Sequence, residues 1–180
     1  KELNVEFLSN QNKNLKKIID SEESFLKKEN MILSKVLIDK GSPYLKSIII
    51  NRGSKSGILK GMPVTDKDYL VGRIVETNYL SSRVLLLNDL NSRIPVTFGD
   101  KGVQAILKGI GENRPMLEYL PEDFIVDEGV DVFTSGKDGI FFPGTPIGKT
   151  TEDGEVKLFS ESSQLSFVKV DISNKENEAF

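Results

Sequence analysis

The stretch "SSRVLLLNDLNSRIPV", Ser81 to Val96, decides how the chain is read. It holds one short phrase twice, Ser82-Arg83 and Ser92-Arg93. Each arginine runs directly into apolar residues, Val84-Leu85-Leu86-Leu87 after the first and Ile94-Pro95-Val96 after the second. Two such runs with a polar "NDLNS" between them read as strands joined by a turn, because Asn and Asp side chains bond nearby backbone. Arginines so placed could bind an anion, take part in catalysis or fix a scaffold. A guanidinium at each strand start can turn its fork on backbone carbonyls or on a carboxylate at the turn. Ser82, Asn91 and Ser92 can satisfy loose turn amides. The reading is a polar latch, centred on Arg83 and Arg93, that pins a β corner and needs no ligand.

The same pattern of short apolar runs and turn residues extends in both directions. Strands are expected at Ile32–Ile38, Lys46–Asn51, Pro63–Thr65, Tyr69–Thr77, Arg83–Asn88 and Ile94–Phe98. A second set is expected at Gln104–Lys108, Met116–Tyr119, Asp131–Thr134, Ile147–Thr151, Val156–Phe159 and Phe167–Asp171. Closely spaced short strands without a helical insert indicate barrels or sandwiches. The fold class is mainly β, with an N-terminal coiled-coil-type helix and two small six-stranded β-barrels. The expected division is a helix over 1–30, a first barrel over 31–100, a second over 101–172 and a disordered tail over 173–180. That barrel boundary leaves room for strands to cross.

Residues 1–30 contain neither Gly nor Pro. Leu8 and Leu15 are seven apart, as are Ile18, Phe25 and Ile32, in an a/d heptad arrangement. Gln11, Glu22 and Glu29 interrupt the seam. Leu8, Leu15, Ile18 and Phe25 are the candidate self-association residues. The alternative is a solvated helix packed on its own domain.

The glycine-rich stretches repeat. "GSKSGILKGMPV" (Gly53, Gly57, Gly61, Pro63) resembles "GKDGIFFPGTPI" (Gly136, Gly139, Gly144, Pro146), and each is followed by a glycine before a cation, Gly72-Arg73 and Gly148-Lys149. Glycine serves positive φ or close backbone approach, and proline after such a turn sets the entry to a strand. Two similar barrels with a glycine turn at equivalent corners explain the echo. Phosphate cradling would require a following helix N-terminus, and a strand follows instead.

Of the 180 residues, none is His or Cys. That removes histidine-activated nucleophiles, thiolate chemistry, disulfides and zinc sites built on thiolate or imidazole. Net charge is −3, so no general basic field draws nucleic acid. The acids Glu122, Asp123, Asp127, Glu128 and Asp131 could offer acid/base pairs or oxygen ligands. They lack calcium-loop spacing, and "PEDFIVDEGVDV" reads as solvated turns around a buried Phe124-Ile125-Val126 run. Ser135 before Gly136 is not on a nucleophile elbow. No catalytic, cofactor or metal residues are assigned. No apolar run approaches the roughly 20 residues that span a bilayer. Residue 1 is Lys rather than Met, so a processed or truncated chain is expected, with any anchor upstream of it.

The ordered set of motifs resembles the bacterial rod shape-determining protein MreC family. The set comprises Pro43-Tyr44, Gly61-Met62-Pro63-Val64, Gly72-Arg73-Ile74, Ser81-Ser82-Arg83-Val84, Asn91-Ser92-Arg93-Ile94-Pro95-Val96, Leu117-Glu118-Tyr119, Thr134-Ser135-Gly136 and Phe142-Pro143-Gly144-Thr145-Pro146-Ile147-Gly148. It covers about residues 31–171. The resemblance implies two β-barrels behind a coiled-coil helix, on the periplasmic or extracytoplasmic face of the inner membrane, anchored by a single span. It implies a non-enzymatic, cofactor-free scaffold of the cell-elongation machinery. The implied partners are the elongation-specific penicillin-binding transpeptidase, the cytoskeletal and membrane proteins MreB and MreD, and the chain itself as dimer or filament. The rival reading is a periplasmic adaptor of a transport system, a class that usually inserts long helical hairpins between barrel halves.

Overall fold

The structure is a computed structural model that describes residues 2–28, 30–37 and 46–173, with side chains described outside 19–28. A helix, α1 (Glu2–Lys28), runs through the Gly- and Pro-free segment. Asn30 then takes a left-handed φ of 56°, a conformation that Asn tolerates better than most residues, and the chain turns into β1 (Met31–Leu37). Ile32 therefore lies in a strand, paired with Val170, and does not extend the helical seam. The remaining strands are β2 (Ser47–Ile50), β3 (Pro63–Asp66), β4 (Tyr69–Thr77), β5 (Ser82–Leu86), β6 (Arg93–Phe98), β7 (Val103–Lys108), β8 (Met116–Glu118), β9 (Asp131–Thr134), β10 (Pro146–Thr150), β11 (Val156–Leu158) and β12 (Phe167–Asp171). Each falls on an expected run.

Six of them close a barrel in the order β1-β12-β3-β4-β5-β2. Closure comes where Val36 and Leu37 of β1 meet Ile50 and Ile49 of β2. The other six form a sheet ordered β11-β10-β9-β6-β7-β8. Its ends meet at a Met116–Glu155 bridge, where Leu117 N–H donates to Gly154 O at 2.9 Å and Val156 N–H to Pro115 O at 2.8 Å. The second unit is thus barrel-like as well.

This order departs from a division at residue 100. β6 pairs with β7 and β9 and belongs to the second unit. β12 belongs to the first, between β1 and β3. The second barrel is inserted between β5 and β12. The physical reason is closure: β1 and β3 do not pair with each other, and the strand that satisfies both edges comes at the end of the chain. For the expected tail, Ser173 N–H is held by the Asp171 carboxylate at 2.9 Å, and 174–180 lie outside the described residues, as do Pro43 and Tyr44.

Each barrel has its own core. Ile50, Ile58, Val64, Ile74, Val84 and Val170 are fully buried in the first. Ile94, Val96, Leu107, Val132, Ile147 and Val156 fill the second. Burying each such side chain contributes about 1.5–3 kcal/mol. Leu70 of β4 and Leu87 after β5 arise in the first barrel's chain segment, yet they pack in the second core. The barrels therefore share a junction.

Candidate functional site

The Ser81–Val96 stretch is the first crossing between the barrels. Its polar hold rests on Asp89, which has no exposed surface. The Oδ2 atom of Asp89 accepts the N–H of Lys46 at 2.8 Å, and its Oδ1 atom accepts the N–H of Asn91 at 2.8 Å. Ser92 is buried; its N–H donates to Asp89 O at 2.9 Å and its carbonyl accepts Gly109 N–H at 3.0 Å. Ser82 is buried and its Oγ donates to Arg52 O at 2.8 Å.

The arginines sit elsewhere. Arg83 turns across the barrel wall, its Nε 3.3 Å from Glu76 Oε2 on β4 and one terminal nitrogen 3.2 Å from Ser47 Oγ on β2. Arg93 is exposed at the start of β6 and has no ion-pair partner among the described residues. The expected arginine grip on the turn is replaced by a buried carboxylate. An Asp accepts two amides at once without carrying a bulky cation into the junction. Sequence reading noted Asp89 only as a turn former. Its reach to Lys46 has no local signal.

The glycine echo has a structural counterpart. Gly61 and Gly144 both take φ near +90° just before Pro63 and Pro146, the first residues of β3 and β10. Gly57 and Gly139 are also left-handed, as is Gly136, whereas Gly53 has extended backbone pressed against the Asn78 carbonyl. Gly72 and Gly148 both lie where a neighbouring strand's carbonyl comes within 2.3 Å of a hypothetical Cβ. They differ in placement, since Gly72 is on β4 and Gly148 shares β10 with Pro146. Ser135 donates its N–H to the carbonyl of Pro95 at 3.0 Å, just past the β6–β9 ladder, which starts at Val96 and Thr134.

Apolar side chains are exposed on several parts of the surface, two barrel loops among them. On the β8–β9 loop, Tyr119 is 79% and Ile125 84% exposed. Phe124 rests edge-on against Phe98 at 5.8 Å while staying open to solvent. The expected burial of Phe124-Ile125 does not hold: both stay open to solvent on a loop outside the strands, and of the expected run only Val126 packs, partly buried, against the second core. The flanking Glu122, Asp123, Asp127, Glu128 and Asp131 are exposed. No group of acids that could hold a metal occurs among the described residues. At the β4–β5 turn, Tyr79 and Leu80 are exposed, with Lys55 5.9 Å above the Tyr79 ring.

Leu8, Leu15 and Ile18 are each more than half exposed on α1. Leu15 and Ile18 overlook a groove of about 710 Å³ against the first barrel, with Leu33, Tyr69, Phe159 and Phe167 on its far side. The side chain of Phe25 lies outside the described residues. No helix among the described residues is long and apolar enough to cross a membrane.

A helix leading into two six-stranded barrel units, one inserted in the chain of the other, defines a two-barrel module. The family described as "Rod shape-determining protein MreC, barrel core" matches residues 36–174, and the chain belongs to that family. It is 34% identical over 139 residues to the cell shape-determining protein MreC of Cereibacter sphaeroides, covering 75% of this chain and 46% of that protein. The MreC of Caulobacter vibrioides is 35% identical over 144 residues, covering 78% and 42%. The chain thus spans less than half the length of these relatives. The crystal structure of MreC from Pseudomonas aeruginosa superposes with a TM-score of 0.70 at 27% identity, covering 78% of this chain and 97% of that one. A solved complex between penicillin-binding protein PBP2 and MreC from Helicobacter pylori shares the fold, with a TM-score of 0.59 at 16% identity over 80% and 99% of the two chains.

Proposed function

We propose that this chain is the extracytoplasmic barrel region of a non-enzymatic scaffold that organises lateral cell-wall synthesis. The barrels bind the elongation transpeptidase. A membrane anchor upstream joins the scaffold to MreB and MreD, and α1 brings copies of the chain together. The observation that carries this reading is the family match across both barrels. It is supported by the Helicobacter pylori complex, in which an MreC of the same fold is bound to a penicillin-binding protein. The open apolar side chains at Tyr119, Phe124 and Ile125 supply a surface of the kind that protein interfaces use.

The test is binding of this chain to the purified extracytoplasmic part of the same cell's elongation transpeptidase, immobilised, over a concentration series. Saturable binding that persists after deletion of residues 2–28 is expected. A folded chain that fails to bind overturns the assignment of the partner to the barrels. Sedimentation of the chain with and without residues 2–28 tests self-association separately.

A further inference from the structure

The barrels are joined by two crossings, Leu87–Ser92 and Phe159–Ser166. Paired units of this size move relative to one another unless their interface holds them. The first crossing is built for holding. A turn that needed only local capping would be served by one carboxylate oxygen on Asn91 N–H, with the other in water. Asp89 has no exposed surface, and its second oxygen takes the N–H of Lys46, 43 residues away at the entry to β2. One carboxylate therefore grips an amide leading into the first barrel and an amide leading into the second. A buried charge persists only when it is hydrogen-bonded, and charge-assisted bonds are the stronger ones.

The backbone of the same residue engages the second barrel. A Cβ on Gly109, just past β7, would lie 1.9 Å from Asp89 O, so only glycine lets that strand exit against the turn. Gly109 N–H donates to Ser92 O at 3.0 Å and Gly111 N–H to Asn88 O at 2.9 Å. Leu70 and Leu87 plug the second core from the first barrel's side. At the other crossing, Phe159 N–H donates to Ile147 O at 3.0 Å while its ring packs 4.9 Å from Tyr69, and Ser160 Oγ donates to Asp66 Oδ2 at 3.1 Å.

We propose that Asp89 is an orientation lock: it sets the angle between the barrels and makes them one rigid body, so that a contact on one barrel fixes the position of the other. This inference is independent of which partner binds.

The chain contains no cysteine, so a pair of cysteines at exposed Ser54 and Lys101, one per barrel, accepts spin labels cleanly. Electron–electron double resonance on the full chain should give one narrow distance distribution. Asp89→Ala and Asp89→Asn should each lose that single narrow peak. An asparagine keeps one acceptor and turns an NH2 group toward the other amide. Gly109→Ala, which drives the turn away from β7, should do the same and serves if Asp89→Ala fails to fold. Val132→Ala, a core change on β9 that removes none of the hydrogen bonds of Asp89 or Gly109, should keep the narrow peak. An unchanged distribution in a folded Asp89→Asn protein, or equal broadening in Val132→Ala, overturns the proposal.

Discussion

A Cβ added to Gly72 would fall 2.0 Å from the carbonyl oxygen of Leu85 on the neighbouring strand. The contact sits in the β4–β5 ladder, where Gly72 faces Leu86 and Arg73 faces Leu85, so relief requires moving the barrel wall. Gly72→Ala should destabilise by about 1–3 kcal/mol or more, as overpacked cores do, and Gly148→Ala should follow for the same reason at Lys157. Gly144→Ala meets no atom within 4 Å and should cost only its left-handed backbone, about 1–2 kcal/mol. Urea midpoints of the three proteins check the order.

Arg83 and Ser82 are neighbours with unequal weight. The Arg83–Glu76 pair is partly open to water, at 34% and 58% side-chain exposure, so Arg83→Ala should lose about 1 kcal/mol or less, and less still in high salt. Ser82→Ala removes a buried donor from Arg52 O and should cost about 1–2 kcal/mol, independent of salt. Arg93→Ala should stay within roughly 0.5 kcal/mol of the parent, as exposed sites do. Thermal denaturation at two ionic strengths separates the three.

Leu70 belongs by sequence to the first barrel and by packing to the second. Leu70→Ala should cost about 2–5 kcal/mol through the cavity it leaves. The loss should appear in one cooperative transition seen by probes placed in either barrel. Two separated transitions would show that the junction does not couple the cores.

Tyr119 and Ile125 face solvent, so serine at either position should change stability by no more than about 0.5 kcal/mol. On the proposed function, the double variant should bind the transpeptidase about tenfold or more weakly, the effect of losing an interface anchor. Titration against the immobilised partner reads this out.

Among the described residues, both barrel cores are assembled from residues beyond the helix. Deletion of residues 2–28 should remove the helical circular-dichroism signal and leave the melting transition of the barrels within a few degrees of the parent. A collapse of that transition would mean that the face of α1 at Leu15 and Ile18 is part of the fold.

Among the described residues, the existence of the helix and the run that carries each strand were legible from local pattern. Residues 1–30 lack breakers, and alternation between apolar runs and Gly, Pro and Asn turns marks each strand. The left-handed turns at Gly61 and Gly144, each followed by a strand-opening proline, were legible for the same reason: a backbone that needs positive φ selects its residue on the spot. The family could also be read, because its motifs are these same turns and strand starts.

Only the tertiary structure decided which strand joins which barrel. β12 closes the first barrel and β6 opens the second because hydrogen-bond closure is satisfied between segments far apart in the chain, and no local pattern encodes the partner. The same holds for Asp89. A turn-forming Asp is visible in "NDLNS", but its burial and its bond to Lys46 exist only once two barrels meet around it. Phe124 and Ile125 make the converse point: their apolar character predicted burial, and the tertiary structure leaves both open to solvent on a loop outside the strands. Local chemistry determined the parts of this protein, and the long-range competition for core volume and hydrogen-bond partners determined how they interlock.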